Sequence, residues 1–243
     1  MKLNILIQGS LGRMGEALKQ AAEDKGHTIL AGIDIGDCAE DHIEGVDLAI
    51  DFSHHSATQS LAECVGKAGI PLIIGTTGHS EEEKGSILKA VSSIPVVWAG
   101  NYSLGVNLLF YLTQKASEIL PNNYDVEVIE MHHRFKKDAP SGTAENLLER
   151  IKAADVRSDH RLLHGREGIV GERTDREIGV HSLRGGDVVG DHTVVFAADG
   201  ERLELTHKAS DRMIFARGAM HAGEWLTQQP AGLYHMQDVL GLK

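Results

Sequence analysis

Residues 3–34 read LNILIQGSLGRMGEALKQAAEDKGHTILAGID, and this stretch decides the fold. Leu3, Ile5 and Ile7 alternate with Asn4, Leu6 and Gln8 until Gly9, a pattern that predicts a buried strand ending in a glycine turn. Met14, Ala17, Leu18 and Ala21 then recur at helical spacing between Arg13 and Glu23. Gly26 offers a stop, and 28–33 (TILAGI) reads as a second strand. Strand, helix and strand in this order make one βαβ unit with parallel strands. Gly9, Gly12 and Gly15 form GxxGxxG at the strand-to-helix turn. Glycines there permit a tight turn and close helix–strand packing, so a pyrophosphate can sit on the unpaired N–H groups of the helix start. Asp34 closes the second strand, where a carboxylate accepts hydrogen bonds from adenosine ribose hydroxyls. The nucleotide expected is therefore a nicotinamide dinucleotide.

Two details bear on which one. Leu11 stands where the commoner GxGxxG has its second glycine. Ile35, Gly36 and Asp37 follow Asp34 and place no cation for a 2'-phosphate, which the Asp34 carboxylate would repel. NADH is favoured on this reading. Arg13 keeps NADPH open, because its guanidinium can bind a pyrophosphate or a 2'-phosphate; a solvated helix-start arginine is the equal alternative.

Outward from this unit the alternation continues, with strands at 46–50, 70–74 and 94–98 and helices at 57–68, closed by Gly69, and 81–91. The strands end in Gly9-Ser10, Asp34, Asp51-Phe52-Ser53, Gly75-Thr76-Thr77-Gly78 and Ala99-Gly100-Asn101-Tyr102. In an open α/β sheet such carboxyl ends line the ligand crevice. Beyond residue 105 the order changes to a helix at 106–119 stopped by Pro121, a strand at 124–131, a helix at 144–154 and strands at 178–184, 188–198 and 201–207. That order predicts an α+β second domain. The C-terminal segment returns to helical periodicity, with Ile214, Phe215, Ala219, Met220, Trp225 and Leu226 able to pack on the first domain. The expected fold is α/β: a Rossmann-like dinucleotide-binding domain of residues 1–103 plus 213–243, and an α+β substrate domain of residues 104–212.

Composition narrows the function. The 243 residues carry 24 Lys plus Arg against 35 Asp plus Glu, a formal charge of -11, which repels nucleic acid overall. Apolar runs such as 70–74 (IPLII) are too short to cross a bilayer, and Met1-Lys2 leads into the first strand without a cleavage site. The expectation is a cytoplasmic protein with no membrane or nucleic-acid partner. Cys38 and Cys64 lack CxxC spacing, so neither a disulfide framework nor a cysteine zinc site is encoded.

Residues 130–144, EMHHRFKKDAPSGTA, gather His132, His133, Arg134, Lys136 and Lys137 within an otherwise acidic chain. Such a cluster attracts an anionic substrate. Ser141, Gly142 and Thr143 mark the start of a helix, whose N–H groups and hydroxyls make a carboxylate site; a plain N-cap is the alternative for Ser141 or Thr143. A histidine or lysine with a shifted pKa can supply the proton that follows hydride transfer. Adjacent histidines in an extended segment point to opposite sides, so His132 and His133 are poor partners for one metal ion, and none is expected.

The glycine loop GSLGRMG (9–15), GTTG (75–78), the 130–144 segment, GGDVVGDH (185–192) and LTHKAS (205–210) resemble the bacterial dihydrodipicolinate reductase family over essentially the whole chain. The ExHHxxKxDxPSGTA pattern is long and specific. The resemblance implies that His132 is the proton donor and acceptor, Lys136 a proton donor and His133 a substrate contact, with Gly142 and Thr143 on a substrate carboxylate. It places cofactor on Gly9, Ser10, Leu11, Gly12, Arg13 and Met14, on Asp34, on Gly75, Thr76 and Thr77, and on Ala99, Gly100, Asn101 and Tyr102. It further implies reduction of a cyclic dicarboxylate on the diaminopimelate route to lysine, and a homotetramer built through the sheets of residues 104–212, with hinge motion between domains. Two departures stand out: Phe135 replaces a common His, and the short segment after Asp34 lacks the arginine that some relatives use for NADPH. Two rival readings remain at this point, a reductase of another cyclic imine and a dinucleotide-binding sensor without turnover.

Overall fold

The computed structural model describes residues 2–154 and 160–242; Met1, 155–159 and Lys243 lie outside that description. In chain order the elements begin β1 (Asn4–Gln8), α1 (Arg13–Asp24), β2 (Thr28–Ile33), β3 (Leu48–Asp51), α2 (His55–Ala68), β4 (Leu72–Ile74), α3 (Glu81–Ala90) and β5 (Pro95–Trp98). They continue with α4 (Leu104–Ile119), β6 (Asp125–His132), α5 (Gly142–Ala154), β7 (Arg161–His164), β8 (Glu177–Arg184), β9 (Gly190–Ala198) and β10 (Glu201–Ala209). The chain ends with α6 (Met213–Leu226), β11 (Gly232–Tyr234) and the single turn α7 (Met236–Val239). Two compact units result, Met1–Leu104 with Arg212–Lys243, and Gly105–Asp211.

The first unit is a parallel sheet in the order β11-β5-β4-β3-β1-β2. Successive residues of a strand face opposite ways, and β1 is buried on both sides. Ile5 and Ile7 join Leu18, Ala21, Ala216, Ala219 and Leu226 of α1 and α6 on one face. Leu6 joins Leu61, Val65 and Ile87 of α2 and α3 on the other. Caps set the helix ends. Gly69 closes α2 in the left-handed region, its N–H donating to the Val65 carbonyl, and Ser80 and Glu83 form a reciprocal capping box at α3. Sheet order reverses direction between β1 and β3, which opens a crevice above their carboxyl ends.

In the second unit a mixed sheet runs β10-β9-β6-β8-β7, with β6 parallel to β8 and antiparallel to β9. Val128, Ile178, Val180, Val194 and Phe196 point inward onto Val106, Leu109 and Phe110 of α4 and Leu147, Leu148 and Ile151 of α5. The fold class read from the sequence, a Rossmann-like parallel sheet followed by an α+β unit, is the one observed. Two strands escape the sequence patterning. β11 is three residues in a segment read as helical, and β7 (RLLH) has no alternation; each exists through pairing, β11 with Pro95–Val97 and β7 with Glu177–Val180. A three- or four-residue strand carries too little periodicity to announce itself.

Candidate active site

The crevice of the first unit is shaped by absent side chains. Gly9 sits at φ +82, and a Cβ there would overlap the Phe52 carbonyl; a Cβ at Gly15 would overlap the carbonyl oxygens of Gly9 and Ser10. Gly9 and Ser10 donate their amides to the Ile33 carbonyl at 3.0 and 3.2 Å, which ties the loop to β2, and Ser10 is buried over Gly32. Gly12 caps α1 with no side-chain bond, so the helix start presents backbone amides. Leu11 donates its amide to Asp34 Oδ2 at 3.0 Å while its side chain is exposed, so its bulk leaves the loop unobstructed. The other oxygen of Asp34 accepts from Ile35 N at 3.0 Å, and Asp37 takes the Asp34 amide at 2.9 Å. Gly9, Gly12, Asp34, Ile35, Ser53 and His54 are among the residues around a cavity of about 450 Å³. A glycine-lined cradle at a helix N-terminus, with a carboxylate at its far edge, fits a dinucleotide.

The other first-unit residues expected to hold cofactor, among them Arg13, Met14, Gly75–Thr77 and Ala99–Tyr102, are not among those lining this cavity, and they divide into surface and support. Arg13 is exposed, and Met14 packs on the core beneath α1. Thr76 is buried and its Oγ1 accepts from Ser53 N at 2.9 Å; Thr77 and Gly100 are exposed. Ala99 donates its amide to the Ile74 carbonyl at 3.1 Å, and Asn101 Oδ1 accepts from Ser103 N at 2.9 Å. A Cβ at Gly75 would overlap the Phe52 ring. Tyr102 is 1% exposed, its hydroxyl lies 2.8 and 2.9 Å from the Ile74 and Val97 carbonyls, and burial raises its pKa. Its side chain is therefore a strut between β4 and β5, and only its backbone can face a ligand. Beneath the floor, Asp51 is fully buried and accepts from Ser53 Oγ at 2.5 Å and Thr58 Oγ1 at 2.6 Å; burial raises its pKa against these bonds.

The second unit builds a cluster of its own from side chains. β6 alternates inward-facing Val128, Glu130 and His132, so a carboxyl and an imidazole follow an apolar residue onto the buried face. His132 Nδ1 is 2.6 Å from Glu130 Oε2. Glu130 is fully buried; Arg184 reaches both of its oxygens at 2.8 Å, and Ser141 N donates to Oε1 at 3.2 Å. Burial pushes the Glu130 carboxyl up, but its bonds from Arg184, His132 and Ser182 outweigh this and hold it below the ordinary value. For His132 burial dominates and lowers the pKa, Glu130 opposing it. The pair is thus a carboxylate accepting from a neutral imidazole near neutral pH.

His192 of β9 lies edge-on to His132 with centroids 5.1 Å apart, and its Nε2 is 3.0 Å from Ser141 Oγ. Burial, with the neighbouring His132 also acting, pushes His192 down to about 4, so it is uncharged. Ser141 Oγ also accepts from Ala144 N at 3.2 Å, so Ser141 does cap α5, directly before Gly142 and Thr143. Lys136 binds both oxygens of Asp138, at 2.9 and 2.7 Å, which lowers the Asp138 pKa. His133 follows the end of β6 and is partly buried, its ring 6.4 Å from that of the exposed Phe135. Among the described residues no group of three or more His, Cys, Asp or Glu could hold a metal ion. Sequence reading singled out neither Glu130, Arg184, Asp138 nor His192. Glu130 had a signal, an acid on the inward side of a predicted strand; Arg184 and His192 come from strands that only the sheet brings near.

Comparison with known proteins decides the family. The family described as "Dihydrodipicolinate reductase, N-terminus" matches residues 3–102, and "Dihydrodipicolinate reductase, C-terminus" matches residues 105–240. The chain belongs to the dihydrodipicolinate reductase family. It is 54% identical over 243 residues to the 4-hydroxy-tetrahydrodipicolinate reductase of Akkermansia muciniphila, covering 99% of this chain and 98% of that one. To the reductase of the same name from Thiobacillus denitrificans it is 43% identical over the full length of both. Among solved structures, a dipicolinate-bound dihydrodipicolinate reductase from Paenisporosarcina sp. TG-14 has the same fold, with TM-score 0.78 and 21% identity over 98% of this chain and 99% of that one. As a family member the chain is an NAD(P)H-dependent oxidoreductase, and the cofactor of its first unit is a pyridine nucleotide. No helix among the described residues is long and apolar enough to cross a membrane.

Proposed function

We propose that this enzyme reduces 4-hydroxy-tetrahydrodipicolinate to tetrahydrodipicolinate, with loss of water, in the diaminopimelate route to lysine, and that NADH is its preferred cofactor. The observation that carries the reading is the buried His132, held by Glu130 beside the N-terminus of α5 and near Lys136. It joins a proton source to a carboxylate site within one unit. The substrate is a dianion, and the unpaired amides and dipole of a helix start are suited to one of its carboxylates at Gly142 and Thr143, with Ser141 holding the turn. His133 and Lys136 contact the same molecule. The neutral ring takes up a proton from solvent at Nε2, since Nδ1 is engaged by Glu130, and the imidazolium so formed donates that proton to the reduced substrate.

In the first unit, Gly9 to Met14 receive the pyrophosphate, Asp34 the ribose hydroxyls, and Gly75–Thr77 and Ala99–Tyr102 the nicotinamide half. The bound nicotinamide supplies the hydride. Asp34 favours a free 2'-hydroxyl, because a 2'-phosphate beside its carboxylate would be repelled. The second unit binds substrate and assembles the chain into a cytoplasmic homotetramer through the sheet face bearing Ile129, Met131, Leu183 and Val195, which α4 and α5 leave uncovered.

The test is oxidation of NADH and of NADPH, with substrate made in place from pyruvate and aspartate semialdehyde by a coupled synthase. Turnover with lower KM for NADH is expected. Lower KM for NADPH would overturn the cofactor preference and move attention to Arg13. Binding of either nucleotide without oxidation would overturn the substrate assignment.

A further inference from the structure

Glu130 enters the chemistry just described only as the group that engages His132 Nδ1, yet it is fully buried and bound from several parts of the second unit. Sequence places it two residues before His132 on the inward side of β6, where a carboxylate is tolerated only if its oxygens are satisfied. The structure meets that demand from separate parts of the chain. Oε2 faces His132 Nδ1 at 2.6 Å and Arg184 Nη1 at 2.8 Å; Oε1 faces Ser141 N at 3.2 Å and Arg184 Nη2 at 2.8 Å. Arg184 is itself fixed. It pairs in register with His132 across the β6–β8 ladder and donates further to the Leu183 and Asp138 carbonyls.

We infer that Glu130 is a positioning residue that joins the proton donor to the carboxylate-binding helix end, one oxygen orienting His132 and the other anchoring Ser141 at the start of α5. The inference rests on the proposed role of His132. Its physical content is as follows. With Glu130 ionised, the imidazole must present N–H at Nδ1, so Nε2 is the nitrogen that exchanges a proton with a ligand. Gly190 keeps that nitrogen uncovered, since a Cβ there would approach Nε2 to 3.0 Å. The same carboxylate fixes the Ser141 amide while His192 and Ala144 engage the Ser141 hydroxyl, so the helix start cannot drift relative to the imidazole. Arg184 keeps Glu130 ionised. The groups bearing on His132 are Glu130 from its own strand, Arg184 from β8, His192 from β9 and Lys136 from the following loop.

The experiment compares wild type, E130Q, H132Q and the double variant in the full-length enzyme, reading kcat, KM for each substrate, nucleotide affinity and the pH profile. E130Q keeps the shape and removes the charge; it should lower kcat about 10- to 100-fold, as loss of a carboxylate behind a working histidine commonly does. Nucleotide affinity should stay unchanged, and the alkaline limb should move to lower pH, because a neutral amide no longer supports the imidazolium. E130D should restore part of the loss. In the H132Q background, E130Q should cost nothing further in kcat, as residues acting through one another are not additive. A full additional loss there, or wild-type kcat and pH profile in E130Q, overturns the inference alone. Normal turnover by H132Q overturns the donor assignment and this inference together. Should E130Q not fold, nitrogen NMR of wild-type His132 decides: the Nδ1–H tautomer is expected, and the Nε2–H tautomer overturns it.

Discussion

Around Gly9 and Gly15 the first unit makes room for a ligand by leaving side chains out, whereas around His132 the second unit crowds Glu130, Arg184, Ser141 and His192 into a buried cluster. The crevice uses backbone amides and carbonyls whose directions are set by φ and ψ, so its tolerance is steric. The cluster uses charges in a poorly hydrated interior, so its tolerance is electrostatic and depends on pH. A backbone site should fail when a Cβ is added; a charge-built site should fail when one partner is removed or protonated.

The largest effect expected is from Arg184→Met, which leaves the fully buried Glu130 carboxylate without its main cation. Breaking a buried ion pair costs about 3–5 kcal/mol, and the partial exposure of Arg184 puts this case near the low end, about 3 kcal/mol. Urea denaturation at neutral pH measures it, and a loss below about 1 kcal/mol, the surface-pair range, would mean that the cluster is not charge-built.

Acid should act on the same unit. His192 has a folded pKa of about 4, against an ordinary value near 6.5. Above 6.5 both folded and unfolded states hold it neutral. As pH falls from 6.5 toward 4 the unfolded chain takes the proton first, so stability drops, by about 3 kcal/mol in full. Urea midpoints across this range should flatten in His192→Gln; an unchanged slope would assign the acid sensitivity elsewhere.

In the first unit, Gly15→Ala forces a Cβ against two carbonyl oxygens. A loss of about 1–3 kcal/mol is expected, together with weaker nucleotide binding. Its urea dependence on pH should match wild type, which sharpens the contrast with His192. Asp34→Asn should raise KM for NADH about 10-fold, the weight of roughly one charged hydrogen bond, with little change for NADPH. Equal changes for both would remove Asp34 from the ribose. The smallest effect is Ser80→Ala, which opens the capping box of α3, far in kind from either site. It should cost about 1 kcal/mol in thermal or urea denaturation and leave kcat unaltered.

Much of this was legible along the chain because the responsible contacts are local. GxxGxxG announces its turn because Gly9, Gly12 and Gly15 lie in one strand-to-helix connection, and Asp34 follows at the end of the next strand. The 130–144 segment likewise carries His132, Lys136 and the Ser141 turn in a single run. Less legible was what each residue does once folded. Tyr102 sits in the expected strand-end cluster, yet its ring and hydroxyl are spent on Phe52, Ile74 and Val97. Ser141 taken alone read better as a plain cap than as a ligand, and its hydroxyl caps α5. Leu11 looked like a flaw in the glycine pattern, but its amide reaches Asp34 while its side chain leaves the loop.

By itself the sequence determined the alternation of strands and helices, the glycine turn, the acidic partner at position 34, and the cationic segment with its helix start. Those properties follow from periodicity and from backbone restrictions that act over a few residues. Only the tertiary structure decided that Arg184 from β8 and His192 from β9 would close on Glu130 and His132 of β6. The reason is that sheet register, set by which faces are buried, brings residue 184 beside 132 and residue 192 beside 130. No local pattern encodes that register, and the electrostatic state of the imidazole depends on it.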